Sequence, residues 1–185
     1  RLSVCGQKGL VERFDSSIGN GTVLSPYGGK TYRTETEGMV ALIPVLGKET
    51  TTCSIMAYGF NPNISSWSPY HGSIYSIVES VSKIVAMGGN YHTIRFSFQE
   101  FFEKLLNNPI KWGKPYAALL GAYRVQEELK LPSIGGKDSM SGTFEDIDVP
   151  PTLVSFAITS GDVNNIVTPE LKGANHSLIE VSLPK

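Results

Sequence analysis

The feature that most constrains the fold of this chain is a glycine-rich stretch at residues 133–143, Ser-Ile-Gly-Gly-Lys-Asp-Ser-Met-Ser-Gly-Thr. It lies between a helical pattern and a strand pattern, which predicts a turn joining the two. The adjacent Gly135 and Gly136 allow a backbone to approach a ligand closely and to reach positive φ. Two interpretations stay open at this point: a binding loop, or a solvated turn in which glycine only supplies the geometry.

The polar side chains of this stretch have the chemistry of a phosphate and metal site. Lys137 can neutralise a phosphate, and Asp138 can hold Mg²⁺. Hydroxyl donors follow at Ser139 and Ser141, and successive backbone N–H groups in a turn can form an anion nest. The stretch is not a Walker P-loop, because Leu131 replaces the first glycine and Asp138 replaces the final Ser or Thr.

Composition excludes several classes of function. The 185 residues are 41% hydrophobic, enough for a sizeable core in one domain or one domain plus a fragment. A net charge of −1, with no window that mixes basic and aromatic residues, argues against nucleic-acid binding. No apolar run reaches membrane-spanning length, so no membrane span is expected, and no signal peptide is visible in a chain that is either processed or excised from a longer one. Cys5 and Cys53 lack metal-ligand spacing, which favours a reduced cytoplasmic protein.

The most convincing helix begins at Ser68-Pro69 and ends at Gly88-Gly89. Its predicted buried stripe consists of Ile74, Ile77, Val78, Val81, Ile84 and Val85. The predicted opposite face carries Ser76, Glu79, Ser80 and Lys83. This face is either the wall of a ligand site or a solvated face with an i,i+4 Glu–Lys pair.

Other patterns predict strands, further helices and loops. Alternating or β-branched runs predict strands at residues 39–46, 52–60, 93–98, 152–160 and 177–183, of which the first two form a hairpin. Amphipathic runs predict helices at residues 99–107 and 114–130. Residues 1–38 contain many turn signals and are predicted to be a linker with little regular structure.

Four segments carry a resemblance to a known family. Residues 135–141, Gly-Gly-Lys-Asp-Ser-Met-Ser, resemble a motif of the large phosphoribosylformylglycinamidine synthases. Residues 5–15, 68–79 and 150–156 resemble the lead-in, a helix and a strand of the same family, so that the resemblance covers nearly the whole chain. The family enzyme uses ATP and glutamine-derived ammonia to convert formylglycinamide ribonucleotide into formylglycinamidine ribonucleotide in purine biosynthesis.

The resemblance implies an α+β fold like the N-terminal domain of aminoimidazole ribonucleotide synthetase. We expect a mixed, mainly antiparallel sheet with helices packed on one face, pairing into a barrel with a second copy. The implied organisation is a lead-in at residues 1–38, an N-type synthetase domain at residues 39–165, and a linker with the first strand of a following C-type domain at residues 166–185. As an isolated piece, the chain is expected to be a homodimer.

The parent protein implied by this resemblance is a cytoplasmic ATP-dependent C–N ligase that works with a glutaminase domain or subunit and other synthetase domains. The chain alone is expected to be inactive, because the domains that complete the substrate site are not part of it. An alternative from a different class is a non-catalytic scaffold half with a degenerate or structural nucleotide site.

The resemblance also implies roles for individual residues, with ATP or ADP and Mg²⁺ as ligands. The implied nucleotide-binding residues are Gly135, Gly136, Lys137, Ser139 and Ser141. The implied metal ligands are Glu79 and Asp138. Lys83 stands where family members with a full metal set have Asn, and its ammonium is a candidate substitute for a metal ion. No catalytic residue is assigned.

Overall fold

The computed structural model describes residue 6 and residues 8–14 and 21–182. Among these residues the helices are α1 (Lys8–Phe14), α2 (Pro62–Trp67), α3 (Pro69–Ala86) and α4 (Pro109–Leu129). The strands are β1 (Thr22–Leu24), β2 (Tyr27–Gly28), β3 (Thr34–Glu35), β4 (Met39–Leu42), β5 (Thr52–Gly59), β6 (Arg95–Phe101), β7 (Ser133–Lys137), β8 (Thr143–Phe144), β9 (Ile147–Asp148) and β10 (Thr152–Asp162). Cys5, considered above for its spacing from Cys53, lies outside the described residues.

Six strands form one sheet in the order β1–β4–β5–β10–β6–β7. Neighbouring strands are antiparallel except β6 and β7, which are parallel. The hairpin of β4 and β5 is as predicted, although β4 ends at Leu42, before Pro44. Strand pairs β2–β3 and β8–β9 form separate short ribbons. The predicted α+β class and mainly antiparallel sheet are confirmed.

Helices α3 and α4 pack on each other, and α3 lies against β5 and β10. Alternate side chains of the central strands are buried beneath these helices, including Ile55 of β5, Phe96 of β6 and Leu153 of β10. Because strand side chains alternate between the two faces of a sheet, this pattern places the core on the side that the helices cover. The core therefore fixes which strand residues point towards α3 and α4.

The predicted orientation of α3 is wrong for its serines. Ser76 and Ser80 are fully buried, whereas Val78 and Val85 of the predicted stripe are 43% and 49% exposed. The Oγ of Ser80 lies 2.9 Å from the Oγ of Ser155 on β10. Small side chains let the helix approach the sheet closely, and their hydroxyls are satisfied by hydrogen bonds, so burial of these serines is favourable.

The predicted helix at residues 99–107 is also wrong. Strand β6 continues to Phe101, which pairs with Thr152 of β10, and the following segment has no regular structure. Pairing with a long central neighbour satisfies the backbone of β6 and overrides the local helical pattern. Helix α4 begins earlier than predicted, at Pro109, because the side chain of Asn108 caps it by accepting from the N–H groups of Ile110 and Lys111.

Two further predictions differ from the structure. Residues 133–137, predicted as part of a turn, form strand β7. Residues 177–182 form no strand, because no described strand lies beside them to pair with. The three domain boundaries stay a prediction, although β1, within the predicted lead-in, pairs with β4 of the main sheet. None of the described helices combines the length and apolarity needed to cross a membrane.

Candidate functional site

The glycine-rich strand β7 lies at one edge of the main sheet. Gly135, Gly136 and Lys137 pair with β6, and no described strand pairs with the outer side of β7. A Cβ on Gly136 would clash with the carbonyl oxygen of Phe98, so this glycine is required for the close approach of β6 and β7. All five residues of β7 are exposed. The strand therefore presents free backbone groups along one side.

The segment after β7 is held to the end of β6. The N–H of Ser139 donates to the carbonyl oxygen of Glu100 at 3.1 Å, and the carbonyl oxygen of Ser139 accepts from the N–H of Phe102 at 2.9 Å. The hydroxyl oxygens of Ser139 and Ser141 lie 2.8 Å apart and share one hydrogen bond. Since this pair uses only one of the two hydroxyl protons, a donor is left for a ligand.

A cavity of about 540 Å³, here called the β7 cavity, lies between β6, β7 and α4. Its polar lining includes Glu100, Lys137 and Asp138. Glu100 is 7% exposed, and among the described residues none donates a hydrogen bond to its carboxylate. Burial, together with the negative charge of Asp138, raises the pKa of Glu100 to about 7. The β7 cavity thus contains a buried carboxylate without a cationic partner.

A second cavity of about 640 Å³, here called the β5 cavity, is lined by residues of β4, β5 and α3, by Phe156 of β10, and by residues from the N-terminal part of the chain that include the exposed Glu35 and Glu37. The Nζ of Lys83 lies 2.6 Å from Oε1 of Glu79 and 3.0 Å from Oε2 of Glu37. It also donates to the carbonyl oxygen of Tyr58 at 3.2 Å and lies 4.9 Å from the centroid of the Tyr58 ring. Glu79 in turn accepts from the N–H of Phe60 at 3.1 Å.

These contacts determine the charge state of Lys83. Burial by itself lowers the pKa of Lys83, but its hydrogen bonds to Glu79 and Glu37 and their negative charges outweigh that effect, so the pKa is raised. The predicted i,i+4 pair of Glu79 and Lys83 is present, but Lys83 is only 16% exposed, so the prediction of a solvated face is wrong. Glu37 was not singled out from the sequence, because it lies in a loop far from α3 along the chain.

The structure does not bring the two implied metal ligands together. Glu79 lines the β5 cavity and Asp138 lines the β7 cavity, and strands β10 and β6 lie between these positions in the sheet. Within the described ranges, no three His, Cys, Asp or Glu residues cluster as a metal site. By contrast, the structure does place the implied nucleotide-binding residues on one strand and the loop that follows it.

A third acidic group, Glu103, lies close to the β7 cavity but is fully paired. It is 3% exposed and accepts from Lys114 and, at 2.5 Å, from Lys111. Lys111 also contacts Asp148 of β9 at 3.3 Å. Hydrogen bonding from Thr143, and then the contacts with Glu103 and Lys111, lower the pKa of Asp148 to about 2. This network ties the start of α4 to the ribbon that follows the glycine-rich segment.

The mixed α+β fold of the chain matches the aminoimidazole ribonucleotide synthetase-like fold. No family model matches the chain. The whole chain aligns at 21% identity with 24% of the phosphoribosylformylglycinamidine synthase subunit PurL of Thermoplasma acidophilum. The chain therefore spans about a quarter of the length of that curated relative.

Solved structures share the fold of this chain. The PurLQS structure from Thermotoga maritima matches 90% of the chain and 25% of its own chain, with 17% identity and a TM-score of 0.70. The PurL structure from the same organism, complexed with AMPPCP, matches 92% of the chain and 26% of its own, with 16% identity and a TM-score of 0.71. The resemblance inferred from residues 135–141 is thus confirmed: the chain is similar to a PurL-type synthetase domain.

Proposed function

We propose that this chain is a domain of a cytoplasmic phosphoribosylformylglycinamidine synthase, which converts formylglycinamide ribonucleotide into formylglycinamidine ribonucleotide with ATP and glutamine. In the proposed reaction, ATP phosphorylates the formyl amide oxygen, and ammonia then attacks that carbon and displaces phosphate. The observation that carries the proposal is the Gly-Gly-Lys-Asp edge strand with its two following serines, in a chain similar to PurL subunits. Glutamine hydrolysis is assigned to a separate glutaminase domain or subunit.

In this proposal, strand β7 and the following loop bind the phosphates of ATP or ADP. The outer side of β7 has no described strand beside it, so the backbone N–H groups of this strand that point away from β6 can donate to a phosphate, and Lys137 makes no ion pair with any described residue. Ser139 and Ser141 retain one hydroxyl donor between them. Phosphoryl transfer depends mainly on positioning and charge neutralisation, which these groups can supply. About a quarter of the Thermotoga maritima PurL chain complexed with AMPPCP has a similar fold.

Asp138 is proposed as a ligand of nucleotide-bound Mg²⁺, since carboxylate oxygens are ligands that Mg²⁺ prefers. Glu79 is proposed as a ligand only at the β5 cavity, away from Asp138. There, Lys83 already supplies a cation to the carboxylates of Glu79 and Glu37, which supports its proposed role as a substitute for a metal ion.

Pairing with a second N-type domain is proposed to occur through the sheet face that α3 and α4 leave uncovered. This face carries apolar side chains, among them Met39, Tyr58 and Phe156, and the latter two rings lie 6.5 Å apart. In the isolated chain the same face would pair two copies into a barrel. Light scattering should give twice the mass of one chain, and a single-chain mass at high concentration would contradict the pairing.

The nucleotide site is tested by calorimetric titration of ATP and ADP, with and without Mg²⁺, into the wild-type chain and into Lys137→Ala and Asp138→Asn. Lys137→Ala should weaken binding at least tenfold, because it removes the phosphate-neutralising cation. Asp138→Asn should remove only the Mg²⁺-dependent part. Lys130→Ala is the matched control, since Lys130 is an exposed lysine at the far end of α4. Equal affinities for Lys137→Ala and Lys130→Ala would reject the site.

A further inference from the structure

Glu100 is the one buried carboxylate of the β7 cavity to which no described residue supplies a hydrogen bond or a cation. On β6 it shares the helix-covered side with Phe96 and Phe98, so its side chain lies beneath α4 and lines the cavity. Glu100 is only 7% exposed, so its carboxylate keeps little hydration, which is unfavourable for the charged form in the absence of a partner. Such a group in an open cavity indicates that a ligand with a positive charge or hydrogen-bond donors replaces the missing partner.

The surroundings of Glu103 show that the lack of a partner is specific to Glu100. Glu103 lies three residues further along the chain, is also buried, and receives both Lys111 and Lys114. The same helix, α4, passes over both carboxylates but supplies lysines to only one of them. Lys137, which also lines the β7 cavity, forms no ion pair with Glu100 or Asp138. The cavity therefore has two carboxylates and one cation that pairs with neither.

The rest of the lining determines the shape and polarity of the ligand. Six apolar side chains line the β7 cavity: Phe98, Trp112, Pro115, Tyr116, Leu119 and Met140. Trp112 and Tyr116 are 57% and 66% exposed, so they form the mouth of the cavity. Aromatic faces attract organic cations as well as apolar groups. Ca²⁺ fits this lining poorly, because it takes about six to eight oxygen ligands and the lining supplies only two carboxylates, and Mg²⁺ is expected there only together with the phosphates of a nucleotide.

We propose that the β7 cavity is a binding site for a small organic ammonium ion with an apolar body, whose charged nitrogen donates to Glu100. The apolar body lies against Trp112, Tyr116 and Leu119, and Asp138 adds negative charge at the same end as Glu100. This site goes beyond the proposed nucleotide site: the two share the lining residues Gly135, Gly136, Lys137 and Asp138 of the β7 cavity, but the anchor of the ammonium is Glu100. The phosphate site uses the cation of Lys137, whereas the ammonium site uses the carboxylate of Glu100.

The fluorescence of Trp112 provides a local measurement. The chain contains two tryptophans, so Trp67→Phe leaves Trp112 as the only indole. In that background, titration with phenethylammonium chloride should change the emission saturably, and 2-phenylethanol, which lacks the charge, should bind at least tenfold more weakly. Glu100→Gln should weaken phenethylammonium binding at least tenfold, whereas Glu127→Gln, at an exposed glutamate of α4, should leave it unchanged.

A second pair of variants keeps the test valid if Glu100→Gln perturbs folding. Leu119→Lys places a competing ammonium on the wall of the cavity and should abolish binding. Leu120→Lys, at a neighbouring exposed leucine that does not line the cavity, should not. Three results would overturn the proposal. They are that 2-phenylethanol binds as tightly as phenethylammonium, that Glu100→Gln binds phenethylammonium as tightly as the protein with Glu100 does, or that millimolar Mg²⁺ displaces the amine.

The same titrations separate this proposal from the proposed function. Lys137→Ala removes a cation from the lining of the same cavity, so phenethylammonium binding should be retained or strengthened while nucleotide binding is weakened at least tenfold. Loss of both would mean that the two ligands share one site, which would overturn the ammonium proposal. Loss of nucleotide binding in Glu100→Gln would have the same meaning.

Discussion

The β5 and β7 cavities differ in whether the chain itself supplies a cation to their carboxylates. In the β5 cavity, the carboxylates of Glu79 and Glu37 are neutralised within the chain by Lys83. In the β7 cavity, Glu100 is more deeply buried than either of them and has no cation among the described residues. An acidic lining therefore does not by itself define a cation site. What matters is whether the fold already supplies the cation.

The largest effect on the unfolding free energy is expected from Glu100→Gln, which removes the buried charge that distinguishes the β7 cavity from the β5 cavity. The pKa of Glu100 rises from an ordinary value of 4.5 to about 7 in the folded chain. The folded state therefore holds this proton more tightly than the unfolded state. The stabilisation is fully present below pH 4.5 and is lost as the pH rises through 7. The difference corresponds to about 3 kcal/mol of unfolding free energy.

Urea unfolding of the wild type and Glu100→Gln at pH 5 and pH 8 measures this effect. Between pH 5 and pH 8, the unfolding free energy of the wild type should fall relative to that of Glu100→Gln. The fall should be most of this ~3 kcal/mol. Asp148 and Glu170, whose pKa values are lowered to about 2, should not interfere, because both are ionised throughout this range. A pH dependence that is the same in both proteins would mean that Glu100 is not the uncompensated charge.

The second prediction compares one glycine near each cavity. A Cβ on Gly59 of β5 would clash with the carbonyl oxygen of Ser76 and lie 2.9 Å from the Cβ of Glu79, so Gly59→Ala should push α3 away from the sheet. We expect a loss of about 2 kcal/mol of unfolding free energy, typical of overpacking. A Cβ on Gly135 of β7 meets nothing within 4 Å, so Gly135→Ala should change stability by less than about 0.5 kcal/mol.

Thermal or urea unfolding of both variants gives the comparison directly. Gly59→Ala should also disturb the contact between Glu79 and the N–H of Phe60, which NMR amide shifts can detect. Equal stability of the two variants would show that α3 can adjust without cost, and would weaken the idea that close helix packing positions Glu79 and Lys83.

The sequence predicted those parts of the molecule in which local chemistry and tertiary structure agree. Ser68 and Pro69 marked the start of α3, and the spacing of Glu79 and Lys83 predicted their ion pair. The burial of Ser80 was missed, because hydrophobic periodicity does not register a small polar residue whose partner, Ser155, is distant in sequence. Such contacts depend on how elements meet, which local patterns do not contain.

The β7 cavity was harder to predict for the same reason. Strand β7 has a turn-like composition and becomes a strand through pairing with β6. Glu100 was placed in a predicted helix, although the alternation of Phe96 and Phe98 continues to it and points its side chain inwards. That alternation was the available signal. The sequence could not predict that Glu100 has no cationic partner. Several lysines lie nearby in the chain, and only the fold determines which carboxylate they reach.

The smallest expected effect comes from the opposite change, removal of the internal cation of the β5 cavity. Lys83→Met leaves Glu79 and Glu37 facing each other without Lys83, but both carboxylates remain partly hydrated, with 39% and 68% of their side chains exposed. Solvent screens such charges, so we expect a loss of about 1 kcal/mol of unfolding free energy at low salt and less at high salt. Lys130→Met, which removes an exposed lysine 3.8 Å from Glu127, is the matched control and should have no measurable effect. If Lys83→Met were instead neutral at low salt, Lys83 would not neutralise the β5 cavity, and the contrast with Glu100 would rest on burial alone.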